Sequence, residues 1–326
     1  MIVRLAVGPL GIDAYPVSNI SHSLRGRPGI VLPMLTSTLA GAMNDVFLAG
    51  PEASDYPRIN DYFNRAYRHD PEAFSLEFEL LRQQHAAFNS LQSIAGYCCA
   101  KPYGYAGDFG LIDRLYMHYI GDGDTIARWD AFAQAQPAAV AVRNRKAYFI
   151  NLMAERMPAR VLNVASGPAR DVLEFYAKWP QAPVTVDCLE YDGQAIRYAQ
   201  SLLEGNARVR FTQQNILTWK AEGAYPLVWS SGLFDYFSDA VFVRVLRKLL
   251  LCVAPGGTLV IGNFSDENPN RAFMEVGMQW FLHHRSPTRL AVLAREAGAG
   301  DWKPEVHCEP AGVNLFLHLH RPATAI

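Results

Sequence analysis

The stretch Arg160-Val161-Leu162-Asn163-Val164-Ala165-Ser166-Gly167-Pro168-Ala169-Arg170-Asp171 restricts the possible folds of this chain more than any other. Val161 to Val164 is a run of β-branched and apolar residues suited to a strand buried on both faces. Ala165-Ser166-Gly167 adds almost no side-chain bulk, and Gly167 tolerates backbone angles that a Cβ forbids. Pro168 is expected at the first position of a helix, where no N–H is needed, and the residues from Asp171 to Tyr176 continue with helical apolar spacing. A strand, a small-residue turn and a helix N-terminus bring backbone donors within reach of a ligand at the sheet edge. The same turn on its own is equally a tight connection that binds nothing, so the weight falls on the residues C-terminal to it.

Those residues alternate between strand and helix patterns. Val184 to Glu190 reads as a second strand, residues 192–203 as a helix, and Val209 to Asn215 as a third strand. Tyr225 to Ser231 is the fourth, followed by Gly232 and a helix to Val253; Pro255-Gly-Gly257 turns into a fifth strand over 258–263. Residues 286–297 are expected as a helix and 312–320 as a last strand. Such alternation predicts parallel pairing in a doubly wound α/β sheet, with ligands at the carboxyl ends of the strands.

Several residues at those ends suit a nucleoside. Glu190 stands 23 positions after Gly167, where a carboxylate can accept two hydrogen bonds from a ribose diol. A strand-end acid is also a common surface residue, and the spacing from Gly167 tilts the balance. Asn215 offers an amide that donates to and accepts from an adenine edge, and Tyr191 and Ile216 can sandwich the flat base. Ser231, ending the fourth strand, completes the candidate binding set with Ala165, Ser166 and Gly167.

Before residue 160 no strand pattern is visible. Residues 1–28 read as irregular, 29–49 as helical, and a helix opened by Asp70-Pro71-Glu72 is expected to reach Ala95. Within this helical half, Lys101-Pro-Tyr-Gly-Tyr-Ala-Gly-Asp108 interrupts the pattern, and Asp108 can cap the next helix. Tyr103 and Tyr105 on the glycine hinges 104 and 107 read either as a loop that closes over a ligand or as core tyrosines of a helix–turn–helix connection. Residues 137–157 read as a helix leading into the first strand. Arg143 or Arg145 there offers a bidentate fork for a carboxylate, or a solvated face; Arg143 is the candidate, with Asn144 beside it, and Arg145 is expected to face elsewhere. The chain thus divides into a helical cap, 1–136, and a ligand-binding α/β domain, 137–326.

Half of the 326 residues are hydrophobic and the formal net charge is −1, so no global field favours nucleic acid or an anionic membrane. Five cysteines without metal-type spacing suggest reduced thiols and a cytoplasmic protein, and no metal site is expected. The first residues do not read as a signal peptide, and no apolar run is long enough to span a bilayer.

Residues 160–263 resemble the class I S-adenosylmethionine-dependent methyltransferase superfamily. Val-Leu-Asn-Val-Ala-Ser-Gly (161–167) is similar to its first motif, Cys-Leu-Glu-Tyr-Asp (188–192) to its ribose-binding second and Gln-Gln-Asn-Ile (213–216) to its adenine-binding third. Leu251 with Val253-Ala-Pro-Gly-Gly257 resembles, more loosely, its turn into the fifth strand. Asn163 stands where that family usually has an acid, Ala165 where it has its middle glycine, and Asn215 where it has another acid. A nicotinamide-binding fold is disfavoured by the lack of Gly-Xaa-Gly-Xaa-Xaa-Gly after the first strand. A second resemblance, on 101–108, Ala141-Val-Arg-Asn-Arg145 and Asn268-Pro-Asn-Arg-Ala-Phe-Met-Glu275, is to a bacterial subgroup with a helical cap. That subgroup includes proteins of 3-hydroxy fatty acid methyl ester synthesis and azetidine-2-carboxylate synthases.

The resemblance implies S-adenosylmethionine as cosubstrate or sole substrate, a Rossmann-like fold and a small-molecule partner. It implies methyl transfer to a small metabolite as the first reading. The alternative is cyclisation of the aminobutyryl arm with release of methylthioadenosine, with Tyr103, Tyr105 and Asn144 as catalytic candidates. A third reading is a nucleoside sensor without turnover. His283 and His284, after the fifth strand, are the available bases for an acceptor.

Overall fold

A computed structural model describes residues 38–323, so the expectations for 1–28 and for the start of the first helix lie outside the described residues. The chain divides into two compact units.

The first unit holds residues up to Ala100, 120–132 and 272–281. Its helices are α1 (Thr38–Ala49), α2 (Tyr56–His69), α3 (Pro71–Gln84), the single turn α4 (Ala86–Asn89) and α5 (Ile94–Ala100). The expected helix from 71 to 95 is therefore broken into three. Asp70 caps α3 through Ala73 N–H, and the side-chain amide of Asn89 turns back to the carbonyls of Arg82 and Gln83, which ends that helix. Ser90 and Ser93 occupy the second break, where Ser93 Oγ donates to Ser90 O and accepts from Gly96 N–H. Hydroxyls that satisfy nearby backbone compete with helix in this way. An aromatic core of Phe47, Phe63, Phe78, Phe88, Trp129 and Phe132 fills the unit, each at most 2% exposed. Phe273, from the late segment, packs edge-on against Phe63 and Phe132 at 5.3 and 4.9 Å.

The second unit holds 101–119, 133–271 and 282 onward. Residues 101–119 and 133–136, which the sequence places in the cap, thus group with the α/β part, and 272–281 group with the helices. Here α6 (Phe109–Tyr116) is followed by α7 (Asp124–Ala135), whose last turn enters this unit, and by α8 (Pro137–Arg156). Then come β1 (Arg160–Val164), α9 (Arg170–Lys178), β2 (Thr185–Glu190), α10 (Gly193–Leu202), β3 (Val209–Gln213), β4 (Tyr225–Ser230), α11 (Asp239–Leu250) and β5 (Val253–Phe264). The chain ends with α12 (Pro287–Glu296), β6 (Glu305–Cys308) and β7 (Asn314–His320).

The seven-stranded sheet has the order β3-β2-β1-β4-β5-β7-β6. β1 to β5 pair in parallel, whereas β7 runs antiparallel to β5 and β6 antiparallel to β7. This is the doubly wound α/β class that the alternation predicts. Val161, Leu162, Val164, Leu227, Val228, Leu259 and Val260 are at most 3% exposed, so both faces of the central strands are covered. Each such side chain contributes roughly 1.5–3 kcal/mol. β6 is an addition to the expected elements: with only Val306 facing inward among four residues, it lacks an alternation long enough to read. The helix after β1 starts at Arg170 and not at Pro168, because Ala169 takes a left-handed conformation ahead of it.

Candidate functional site

Three residues of the loop between β1 and α9 have positive φ: Ala165 at 55°, Gly167 at 53° and Ala169 at 49°. The two alanines stand in a region that costs a non-glycine residue of order 1–3 kcal/mol, a kind of strain concentrated at functional sites. Ala165 N–H donates to Leu189 O at 2.7 Å, tying the loop to β2. Nothing lies within 4 Å of where a Cβ at Gly167 would stand, so that glycine serves the backbone conformation.

Glu190 closes the loop from the neighbouring strand. Its Oε2 accepts from Gly167 N–H at 2.9 Å, and its Oε1 accepts from Tyr191 N–H and Asp192 N–H at 2.7 and 3.0 Å. Burial pushes this carboxyl above its ordinary range, and the three amide donors oppose that push. The side chain is thereby fixed at the β2 end without a long-range ion pair. Tyr191 is 37% exposed. Asn215 Oδ1 accepts from Leu217 N–H in a local turn. Ile216, which the sequence places against a base, is 7% exposed and packs in the core with Leu189 and Val164; its carbonyl accepts from Lys248 Nζ. Ser231 follows β4 and is half-buried.

The loop 101–108 belongs to this same unit. Gly104 and Gly107 both have positive φ, and Asp108 caps α6 through Leu111 N–H, as expected. Tyr105 approaches Asp192 Oδ2 at 3.4 Å. Burial first, then Glu190, Asp192, Asp108 and Tyr236, push its hydroxyl far above the ordinary range, so it stays a neutral donor. Tyr236, after β4, donates to Ala106 O at 2.9 Å and holds the loop. Tyr103 instead packs with its ring tilted against Phe109, which meets Tyr198 of α10. Tyr105 therefore lies beside the β2 end, and Tyr103 packs into an aromatic row.

The polar triplet of α8 separates in three directions. Arg143 places both terminal nitrogens on Gln134, one on its side-chain oxygen at 2.7 Å and one on its carbonyl at 2.8 Å. Its fork is engaged on the α7–α8 connection, whereas the expectation sets it against a ligand carboxylate. Asn144 donates to Glu309 Oε2 at 2.6 Å, and Glu309 also accepts from the N–H groups of Ala311, Val313 and Asn314. It braces the β6–β7 turn, three strands from β1. Arg145, expected to face elsewhere, is the one turned to the strand ends. It is 4% exposed with Nε unpartnered. A Cβ added at Gly232 would lie 2.8 Å from its Nη1, and it bonds Tyr116 and faces Asp235. A signal was present in the sequence: Arg145 lies four residues from both Ala141 and Phe149, on the buried stripe of the helix.

Three further polar groups are buried or half-buried. Asn163 is 1% exposed and neither of its side-chain polar atoms has a partner. Asp171 is pushed up to about 6 by burial. His284 is pulled down to about 4 by burial; its ring nitrogens meet Leu282 O and the amide of Asn268. The carbonyl can only accept, so Nδ1 carries the proton and Nε2 takes the amide donor. His283 and His284 stand in an irregular segment, not on a helix.

Residues 161–257 match the model of a family described as a methyltransferase domain. A curated relative, trans-aconitate 2-methyltransferase of Rhodopseudomonas palustris, is 28% identical over 104 residues, which span 32% of this chain and 38% of that protein. Among solved structures, a possible exported protein from Bordetella parapertussis is similar with a TM-score of 0.56 and 20% identity, covering 66% of this chain and 80% of that one. The apo form of the S-adenosylmethionine-dependent methyltransferase SibL has a TM-score of 0.51 and 17% identity, over 86% and 77% of the two chains. With the strand order above, the α/β unit has the class I methyltransferase fold, and its central stretch, 161–257, is similar to a methyltransferase domain.

Proposed function

We propose that this protein binds S-adenosylmethionine at the carboxyl ends of β1, β2 and β3 and transfers its methyl group to a small molecule. The observation that carries the reading is the Glu190–Gly167 bond, which sets a fixed carboxylate against a strained small-residue loop inside a stretch that matches a methyltransferase domain. Glu190 accepts the ribose diol, Tyr191 and the Nδ2 of Asn215 meet the adenine, and the backbone of Ala165, Ser166 and Gly167 faces the amino-acid arm. Arg145, and not Arg143, takes the carboxylate of that arm, with Ser231 beside it. The ring of Tyr105 stands ready for the sulfonium; a desolvated cation over such a ring gains about 2 kcal/mol. The named activity of the curated relative, methylation of a small organic acid, is consistent with a small acceptor.

One observation favours the second reading, cyclisation of the ligand itself. Asn163 is a buried neutral amide at a position suited to an acid that would keep the ligand's amine charged. A neutral amine can attack its own γ-carbon. The new N–C bond forms as the C–S bond breaks, the electron pair leaves on the sulfur of methylthioadenosine, and the nitrogen loses one proton to solvent or base.

Incubating the protein with S-adenosylmethionine alone and analysing products by mass spectrometry separates the two. Methyl transfer without acceptor leaves the ligand intact; cyclisation releases methylthioadenosine and a four-membered-ring amino acid. Calorimetry that shows no binding of S-adenosylmethionine or S-adenosylhomocysteine below millimolar concentrations would sink both.

A further inference from the structure

Gly232 stands two residues past β4 with a φ that is not positive. Its backbone therefore does not demand glycine; the space around it does. A Cβ at this position would lie 2.8 Å from Nη1, 3.1 Å from Nη2 and 3.2 Å from Cζ of Arg145. Both terminal nitrogens are nearer than the carbon between them, so that point stands at the mouth of the guanidinium fork. A carboxylate docks on such a fork from the same side, with N–O distances of about 2.7–2.9 Å. The strand end is set in place on this side of the pair. Ser231, the preceding residue, puts its carbonyl oxygen where a Cβ of Gly262 would stand, and Gly262 lies inside the sheet, paired with Phe316 of β7. Arg145, for its part, is 4% exposed on α8, with Nε unpartnered.

We infer that Gly232 is the selectivity residue of the site: by lacking a Cβ it keeps the mouth of the Arg145 fork open, and so favours nucleosides that carry a carboxylate arm over those that end short of it. The inference rests on the reading of the strand ends as an S-adenosylmethionine site, and adds the residue that makes such a site discriminate. Gly232 has no side chain to offer a ligand; it acts through Arg145, as a positioning residue. Selectivity is a difference of affinities, and obstructing one ligand changes it as surely as attracting the other. A methyl group at position 232 either fills the approach of the acid or pushes the guanidinium aside. Both deny the carboxylate its paired hydrogen bonds. A nucleoside without the acid leaves the fork unused and meets neither effect.

Titration calorimetry on the full chain and its Gly232→Ala variant, with S-adenosylhomocysteine and with methylthioadenosine, tests this. The first ligand keeps the carboxylate and should weaken by about tenfold or more, as for lost hydrogen bonds between charged groups. The second lacks the arm and should keep its Kd within a factor of about two. In an Arg145→Lys background, which already lacks the fork, the same alanine should cost S-adenosylhomocysteine at most about threefold, because changes that act through one contact do not add. An unchanged Kd for S-adenosylhomocysteine, equal weakening of both ligands, or a full loss that persists beside Arg145→Lys overturns the inference and leaves the pocket reading intact. Should the alanine variant not fold, phenylglyoxal labelling of Arg145 in the wild-type protein, followed by mass spectrometry, takes its place. S-adenosylhomocysteine should shield that residue and methylthioadenosine should not; equal shielding overturns the inference. Failure of S-adenosylhomocysteine to bind the wild-type protein at all defeats the pocket reading, and the role of Gly232 with it.

Discussion

A buried guanidinium with an unpartnered nitrogen is costly unless a charged group completes it. Arg145 is such a residue, and a ligand carboxylate would supply the missing partner. Arg145→Lys keeps the charge and loses the planar fork. It is expected to weaken S-adenosylhomocysteine by about 10–100-fold, in line with about 1.5–3 kcal/mol for hydrogen bonds to charged groups. The affinity for methylthioadenosine should hold. Arg143→Lys should lower the melting temperature by loosening Gln134 and leave the S-adenosylhomocysteine Kd within a factor of about two. Equal losses in the two variants, read by calorimetry, would return the carboxylate role to neither residue. That Glu190 meets the β1–α9 loop was legible in the sequence, because sheet topology fixes its distance from Gly167. The choice among residues 143, 144 and 145 depended on which side of a broadly buried helix each one takes. Ile216 is ambiguous for a similar reason, since a core position and a base-stacking position ask for the same apolar residue.

The elements around the site are held by a few polar clamps. Asp113 of α6 pairs with Arg170, the first residue of α9, and accepts from Tyr198 of α10 at 2.6 Å. Both partners of the ion pair have side chains only 12% exposed. One carboxylate thus fastens the helix that follows the tyrosine loop to the two helices that follow β1 and β2. Asp113→Asn removes the charge and leaves Arg170 partly buried without its counter-ion, at a cost of about 3 kcal/mol. The urea midpoint should drop accordingly with little change in m; an unchanged midpoint would mean that solvent screens the pair. At this scale the β–α alternation was readable because each strand is a short apolar run bounded by turn residues. The break of the 71–95 helix was not, since its apolar spacing continues while Asn89, Ser90 and Ser93 divert the backbone. The start of α9 was misplaced by the strain at Ala169, which propensity does not foresee.

At the scale of the molecule, buried ionisable groups oppose one another. Asp171 and Asp235, at about 6 and about 7, hold protons in the fold that the unfolded chain gives up near 3.8. His284 and His318, at about 4 and about 3, stay neutral in the fold, whereas the unfolded chain protonates them below 6.5. Between those limits the fold carries two protons on carboxyls and the unfolded chain two on imidazoles. The four contributions to the pH dependence of stability therefore cancel. Asp171→Asn removes one of them. The stability that Asp171 contributes is full below 3.8 and is lost as pH rises through about 6. Over that window wild type should lose ground to the variant by up to about 1.4 kcal/mol per pH unit. Urea midpoints of both proteins, measured across the interval, check this; a constant gap would show that Asp171 titrates as it does in the open chain.

The contribution of residues 272–281 to the first unit also sets the order in which the protein can be completed. Phe273, which packs on Phe63 and Phe132, emerges more than two hundred residues after Phe63. β7 comes later still, and it must insert between β5 and β6 to finish the sheet. Domains usually mature in the order of synthesis, N-terminal first. Here the first unit cannot close before residues 272–281 are made, nor the sheet before β7 is made. Until Phe273 arrives, the nascent helices carry an aromatic face that it will later cover, transiently exposed apolar surface of the kind that favours aggregation.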